Sequence, residues 1–431
     1  MKKPKDLKPS TLSLHAGQRP DTDFGARATP IYQSSSFVFP DTETAAGVFN
    51  AERAGHVYSR ITNPTNAVLE ERISALEGGV GAIATSSGQA ALVLAITTIL
   101  EKGSHLIASK SLYGGSHNLL EYTLPRFGIE TTFVDLRKAN EVKKSIKKNT
   151  KLIFGETLAN PGLDVLNIPK ISKIAHENNI PLLVDSTFTT PYLMKPFSLG
   201  ADLIFHSATK FLSGHGVVIG GLLVDSGNFA WNSSSKFKTL TEPYKGFHDM
   251  NFVEEYGPAA YINRARKEGA RDFGACMSPH TAFLVLQGME TLNIRMEKHI
   301  QNTRSIIEFL NSHKSVKSVC YPELEDHPDH ELANDLLPYG CGAVFTFELE
   351  GNVETGKKFI EQLNIFSHLA NVGDAKSLVI HPASTTHHRM DALALKKGGM
   401  SESTIRLSIG IEDSEDLIED LDEALTYSTR K

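Results

Sequence analysis

Lys210 closes the run Ser207-Ala208-Thr209-Lys210, directly after the apolar stretch Ala201-Asp202-Leu203-Ile204-Phe205-His206. Asp185 closes a second apolar stretch, Ile180-Pro181-Leu182-Leu183-Val184, upstream of it. A lysine at the mouth of a sheet can form an imine with an aldehyde cofactor, and a carboxylate at a neighbouring strand end can keep a pyridine nitrogen protonated. Together the two residues suggest pyridoxal phosphate. Taken singly, each has a commoner fate: Lys210 capping a strand, Asp185 capping the next helix.

Other stretches offer what a phosphorylated aldehyde would still need. Thr85-Ser86-Ser87-Gly88-Gln89-Ala90 opens a helix after a strand, so its free N–H groups and positive dipole end suit a phosphate, although an ordinary Ser-Gly helix start reads the same way. Tyr113, in Leu112-Tyr113-Gly114-Gly115, can lay its ring over a pyridine or mark a turn. Asn160-Pro161 reads first as a turn, with an amide able to reach a phenolic oxygen.

These residues need a scaffold that gathers strand ends. From about residue 65 to 225, apolar strand-like stretches (Ala82–Thr85, His105–Ala108, Glu130–Val134, Leu152–Phe154, Pro181–Val184, Leu203–His206 and Val217–Val224) alternate with helix-like segments such as Ala67–Glu77 and Gln89–Glu101. The rhythm predicts a doubly wound, mostly parallel α/β sheet with ligands at the carboxyl ends of its strands. Residues 1–60 show little periodicity and many Pro, Ser, Thr and Gly residues, which predicts an extended arm lying on a second subunit. Residues 226–275 break the rhythm and read as an insertion. A long amphipathic pattern, His280–His313, leads into a smaller α+β segment ending near Leu425. The expected division is an arm over 1–60, a large cofactor domain over 61–290 and a small domain over 291–431.

With 431 residues and 40% hydrophobic content the chain can bury more than one core, and its charge of −6 forms no basic or acidic block. Neither nucleic acid nor an anionic membrane is favoured as a partner. Cys276, Cys320 and Cys341 are too few and too scattered for a disulfide framework or a zinc site, which suits a reducing cytoplasm. The basic N-terminus is followed by no apolar targeting segment, and the run around Ala90–Leu100 is too short for a membrane span. His381, His387 and His388 lack the helical spacing of metal ligands, and no metal is expected. Gly214-His215-Gly216 reads as a tight loop after the lysine.

The order of the motifs resembles the Cys/Met-metabolism enzymes that depend on pyridoxal phosphate. The resemblance runs from about Thr11 to Ala424, through Tyr58-Ser59-Arg60-Ile61-Thr62-Asn63-Pro64-Thr65, Ser87-Gly88, Tyr113-Gly114, Asn160-Pro161, Asp185-Ser186-Thr187, Ser207-Ala208-Thr209-Lys210 and Arg406-Leu407-Ser408. It implies the aspartate-aminotransferase-like architecture called fold type I. It also implies that Lys210 forms the imine and shuttles protons, that Asp185 partners the pyridine nitrogen, and that Tyr113 stacks on the ring. Gly88, Gln89, Ser207 and Thr209 would hold the phosphate, with Ser87, Asn160 and Thr187 as further cofactor contacts. Tyr58 and Arg60 would reach the phosphate, and Tyr58 the substrate, from a neighbouring subunit of a homo-oligomer, expected as a dimer of dimers. Arg406 would clamp the substrate carboxylate, helped by Asn371. Ser186 departs from the asparagine usual there.

Within the family, His15-Ala16-Gly17-Gln18, Gly25-Ala26-Arg27, Pro30-Ile31-Tyr32-Gln33, Gly288-Met289-Glu290-Thr291-Leu292 and the stretch His368–Leu378 resemble the O-acetylhomoserine sulfhydrylase branch, as does the insertion at 226–275. Gly115 stands where methionine γ-lyases tend to carry cysteine. The resemblance implies γ-replacement of an O-acylated homoserine by sulfide, or by a sulfur-carrier equivalent, to give homocysteine for methionine biosynthesis. Cystathionine γ-synthase and the γ-lyases remain alternatives, with a non-catalytic protein on the same fold, disfavoured by the presence of Lys210, Asp185 and Arg406 together, and, weakest, a metal-dependent hydrolase built on the C-terminal histidines.

Overall fold

The computed structural model describes residues 7–50, 52–160, 162–385 and 401–428. Among these, twelve strands form two sheets. The larger contains β1 (Gly81–Thr85), β2 (His105–Ser109), β3 (Glu130–Val134), β4 (Thr150–Glu156), β5 (Leu182–Asp185), β6 (Leu203–Ser207) and β7 (Gly221–Asp225), in the order β1-β7-β6-β5-β4-β2-β3. Only β7 runs against its neighbours.

Both faces of this sheet are buried, which is why its strands read as continuous apolar runs. Successive residues go to different cores. Ile153, Leu182, Val184, Ile204 and Leu222 join one cluster with Leu69 and Ile73 of the helix Pro64–Glu77. Phe154, Leu183, Leu203, Phe205 and Leu223 join the other with Leu92 and Ile96 of the helix Gly88–Ile99. The second core is completed by residues of the 226–275 stretch: Trp231 stacks on Tyr261 at 5.2 Å, and the Tyr261 hydroxyl donates to the Ala95 carbonyl at 3.0 Å. The insertion is therefore the cover of one sheet face.

The second sheet holds β8 (Val316–Cys320), β9 (Val344–Leu349), β10 (Ser367–His368), β11 (Leu378–Ile380) and β12 (Thr404–Ser408), in the order β10-β11-β12-β9-β8. Its Phe345, Phe347, Ile405 and Leu407 belong to the first core cluster, so one apolar interior runs from the large sheet into the small one.

Three expectations about elements change. The strand placed at Val217–Val224 starts only at Gly221, because the Thr209 hydroxyl engages both backbone groups of Gly220, accepting from its N–H at 3.1 Å and donating to its carbonyl at 3.3 Å. The pattern at His280–His313 is two helices, Pro279–Glu290 and Leu292–Ser312, with Arg295 taking the Gly288 carbonyl at their junction. The first sixty residues include the helices Pro9–His15 and Thr42–Phe49. The first of these packs on its own chain: Leu12 and Ala16 enter the core, and buried Arg72 donates to the Leu14 and Ala16 carbonyls.

No helix among the described residues is long and apolar enough to cross a membrane. Cys276, Cys320 and Cys341 are free thiols.

Candidate active site

Three central strands end side by side. β4 and β5 pair in register with Glu156 opposite Asp185, and β5 pairs β6 with Asp185 opposite Phe205. Thr187 joins two of these ends: its hydroxyl donates to Asp185 Oδ1 and accepts from the Ser207 N–H at 2.9 Å. Burial raises the Asp185 carboxyl above its ordinary value, against the Thr187 hydrogen bonds and the nearby His206 and Lys210. Glu156 is pushed well above its ordinary value by burial and by Asp185, with the Tyr113 and Asn160 amides pulling the other way. A buried and a half-buried carboxylate thus adjoin at neighbouring strand ends, a site that a cationic ring nitrogen would suit.

Lys210 sits in the turn after β6, where its N–H donates to the Ser207 carbonyl at 3.2 Å. Its amine donates to Asn371 Oδ1. Burial and the Arg406 charge lower the lysine to about 8. The backbone just beyond it is clamped by Arg295, which donates to the Phe211 carbonyl at 2.8 Å and the Leu212 carbonyl at 3.4 Å. Asn371 is set by the segment that follows it. Gly373, at φ +76°, lies so close to Phe211 that a Cβ would meet its nitrogen at 2.7 Å, and the Ala375 N–H donates to the Gly214 carbonyl at 2.8 Å.

Ser87 caps the helix Gly88–Ile99, its hydroxyl accepting from the Ala90 N–H at 3.1 Å, and no acidic residue occupies the first turn. This helix start is pressed against the lysine strand: a Cβ on Gly88 would fall 2.8 Å from Ser207 Cβ, and one on Gly221 would fall 2.0 Å from the Ser87 carbonyl oxygen. Glycine at both places lets the positive helix end approach Ser207 and Thr209, which forms an anion cradle.

On the other side, Arg406 projects from β12 and donates to Asn160 Oδ1 at 3.1 Å. Burial lowers it to about 10. Ser87, Gly88, Gln89, Tyr113, Asn160, Asp185, Thr187, Ser207, Thr209, Lys210, Asn371 and Arg406 all line one cavity of about 290 Å³, with Leu158, Phe188, Ile219 and Val372 as apolar walls. A cavity of that size holds one small ligand.

The profile of the Cys/Met metabolism PLP-dependent enzymes matches residues 10–426. The chain belongs to that family. Its cofactor is pyridoxal phosphate, and its architecture is fold type I. It is similar to the O-acetyl-L-homoserine sulfhydrylase of Leptospira meyeri, with 46% identity covering 98% of this chain and 97% of the relative. With the homocysteine synthase of Schizosaccharomyces pombe it shares 44% identity over 96% and 97% of the two chains. A crystal structure of a putative O-acetylhomoserine (thiol)-lyase from Campylobacter jejuni, containing N'-pyridoxyl-lysine-5'-monophosphate, superposes with a TM-score of 0.94 at 37% identity, covering 97% of this chain and all of that one.

The residues present fit the family's cofactor. A lysine amine with a lowered proton affinity, a carboxylate whose proton affinity is raised by its surroundings and a glycine-lined helix start match the aldehyde, the ring nitrogen and the phosphate in turn. Tyr58 and Arg60, however, stand outside the cavity of their own chain. Tyr58 bridges to Ser36, and the Arg60 guanidinium lies 5.4 Å from the Tyr58 ring centre and donates to the Arg271 carbonyl. Ser186 points away as well, into a buried hydroxyl contact with Thr189 at 2.9 Å. His215 Nδ1 is 2.6 Å from the Ser213 carbonyl oxygen, and His381 lies between Ser384 and the Glu402 carbonyl. His387 and His388 lie outside the described residues.

Sequence reasoning passed over Glu156 and Arg295. Glu156 carried a usable signal: like Asp185, it is a carboxylate closing an apolar strand. Arg295 lies in the first turn of the helix Leu292–Ser312 and carried none.

Proposed function

We propose that this enzyme converts O-acetyl-L-homoserine and sulfide into L-homocysteine and acetate. The observation that carries the reading is the meeting of Lys210, Asp185 and Arg406 around one cavity, in a chain similar over nearly its whole length to O-acetyl-L-homoserine sulfhydrylases.

Bound pyridoxal phosphate supplies an electron sink that acidifies the Cα and Cβ protons of an attached amino acid. The chain's residues do the rest. Arg406 takes the substrate carboxylate through a fork of donors, with Asn371 beside it. Lys210, lowered to about 8, has a neutral fraction able to remove the Cα proton and to return a proton at the end. Asp185 would hold the ring nitrogen protonated, and Tyr113 would cover the ring. Loss of acetate from Cγ and addition of sulfide at Cγ balance as an exchange of one nucleophile for another. Phe188 and Val372 give the cavity apolar walls that would limit water at the reacting carbons.

Tyr58 and Arg60 complete the site from a second copy of the chain, which makes the active form a homo-oligomer. Sulfide, free or delivered by a carrier protein, is the second substrate. Three unpaired thiols suit the cytoplasm as the working compartment.

Steady-state assays of acetyl-, succinyl- and phosphohomoserine against sulfide and cysteine test the reading. Homocysteine from the acetyl ester and sulfide should dominate. Faster use of cysteine would make the enzyme a cystathionine γ-synthase instead.

A further inference from the structure

Glu156 lines the cavity but has no task in the chemistry above. It is buried at the end of β4, opposite Asp185. Its two oxygens are engaged separately: Oε1 accepts from the Tyr113 N–H at 2.6 Å and Oε2 from the Asn160 N–H at 3.3 Å. Asn160 in turn accepts from Arg406 through its side-chain oxygen. One carboxylate therefore links the half-exposed Tyr113, just ahead of the short helix Gly114–Asn118, to the arginine on the second sheet.

We propose that Glu156 is a positioning residue that sets the stacking tyrosine and the carboxylate-binding arginine in one frame. Tyr113 and Asn160 belong to loops after different strands, β2 and β4, and the side chain of Glu156 engages the amides of both. A carboxylate has an acceptor oxygen for each, whereas a carboxamide has one. The cofactor's face and the substrate's carboxylate are thereby aligned together, as alignment of the breaking bond with the ring requires. The roles of Tyr113 and Arg406 used here rest on the function proposed above.

The test compares holoenzymes carrying Glu156→Gln and Glu156→Asp with wild type. Two readouts are taken: visible circular dichroism of the bound cofactor, which follows the stacking ring, and the affinity for L-norleucine, an amino acid without a leaving group, by absorbance titration. Gln can satisfy only one of the two amides, so either the dichroism changes or norleucine affinity falls about tenfold, the size of one lost hydrogen bond. Asp, shorter by one methylene, should show both effects. If both variants keep wild-type dichroism and bind norleucine within about twofold of wild type, with only the melting temperature lowered, Glu156 is a structural brace and the proposal fails. Should the Asp variant not retain cofactor, the Gln variant decides alone. Norleucine binding does not depend on which ester the enzyme uses, so an error in the substrate assignment would appear separately, as wild type that binds norleucine and makes no homocysteine.

Discussion

Lys210 and Asn371 meet across the seam between the two sheets, the lysine amine donating to the asparagine's side-chain oxygen. One follows the end of β6 and the other precedes β11, so the contact joins the lysine to the half of the cavity proposed to bind the substrate carboxylate. On the proposed function Asn371 stands beside Arg406 at the substrate carboxylate, so Asn371→Ala loses a hydrogen bond to a charged group there, worth about 1.5–3 kcal/mol. The KM for O-acetyl-L-homoserine should rise about tenfold or more, with a smaller change in kcat, in steady-state assays.

On the proposed roles, Asp185→Asn removes the charge that would keep the ring nitrogen protonated. The protein should still bind cofactor through Lys210 and the helix start, visible as its yellow absorbance. Turnover should fall roughly 10²–10³-fold. A near-wild-type rate would take Asp185 out of the mechanism.

The lysine value of about 8 has a defined pH consequence. Folding lowers it from an unfolded value of about 10.4, so between these two pH values the unfolded chain binds more protons and stability rises with pH. Cofactor-free wild type should therefore gain stability relative to Lys210→Met as pH is raised from 8 to 10, measured by urea denaturation. Capture of added pyridoxal phosphate by the cofactor-free protein should accelerate with a midpoint near 8.

Tyr58 and Arg60 lie outside their own chain's cavity, so the shared-site reading predicts complementation. Mixing Arg60→Ala chains with Lys210→Ala chains should restore activity, since one site of each hybrid dimer has both residues intact. Well-mixed hybrids that stay inactive would show that the site is not shared.

Gly115 controls where the Tyr113 ring rests, because a Cβ there would come 2.5 Å from Tyr113 Cε1 and 3.0 Å from Gln89 Nε2. In Gly115→Cys the ring must swing away. The visible dichroism should change, and with acetyl ester and sulfide the ratio of 2-oxobutanoate to homocysteine should rise. An unchanged ratio with a changed spectrum would separate ring position from reaction choice.

The sequence displays Asp185 and Lys210 clearly because strands buried on both faces become unbroken apolar runs, and the polar residue that ends each run marks a strand end: Asp185 for β5, and Ser207, three residues ahead of Lys210, for β6. Glu156 ended such a run equally well, yet without a lysine or phosphate cradle beside it in sequence its neighbours were invisible. Arg295 could not be found that way: its partners are main-chain carbonyls of Phe211, Leu212 and Gly288, which carry no residue-type signal. The late start of β7 depends on Thr209 capturing Gly220, a tertiary contact that overrides the β-branched run at 217–219. The helix Pro9–His15 is too short for periodicity to reveal, and its place is set by buried Arg72.

Because neighbouring residues in the central strands serve opposite cores, adding or deleting one residue inside a strand would exchange its layers wholesale. A long stretch outside the strand pattern can thus sit only in a connection. The 226–275 stretch obeys that limit, beginning where β7 ends at Asp225. Since β7 runs against its neighbours, the stretch departs from the edge remote from Lys210, crosses one face and returns beside Thr85 through the bridge to Cys276. These fifty residues can therefore cover a sheet face while every strand end that lines the cavity keeps its register.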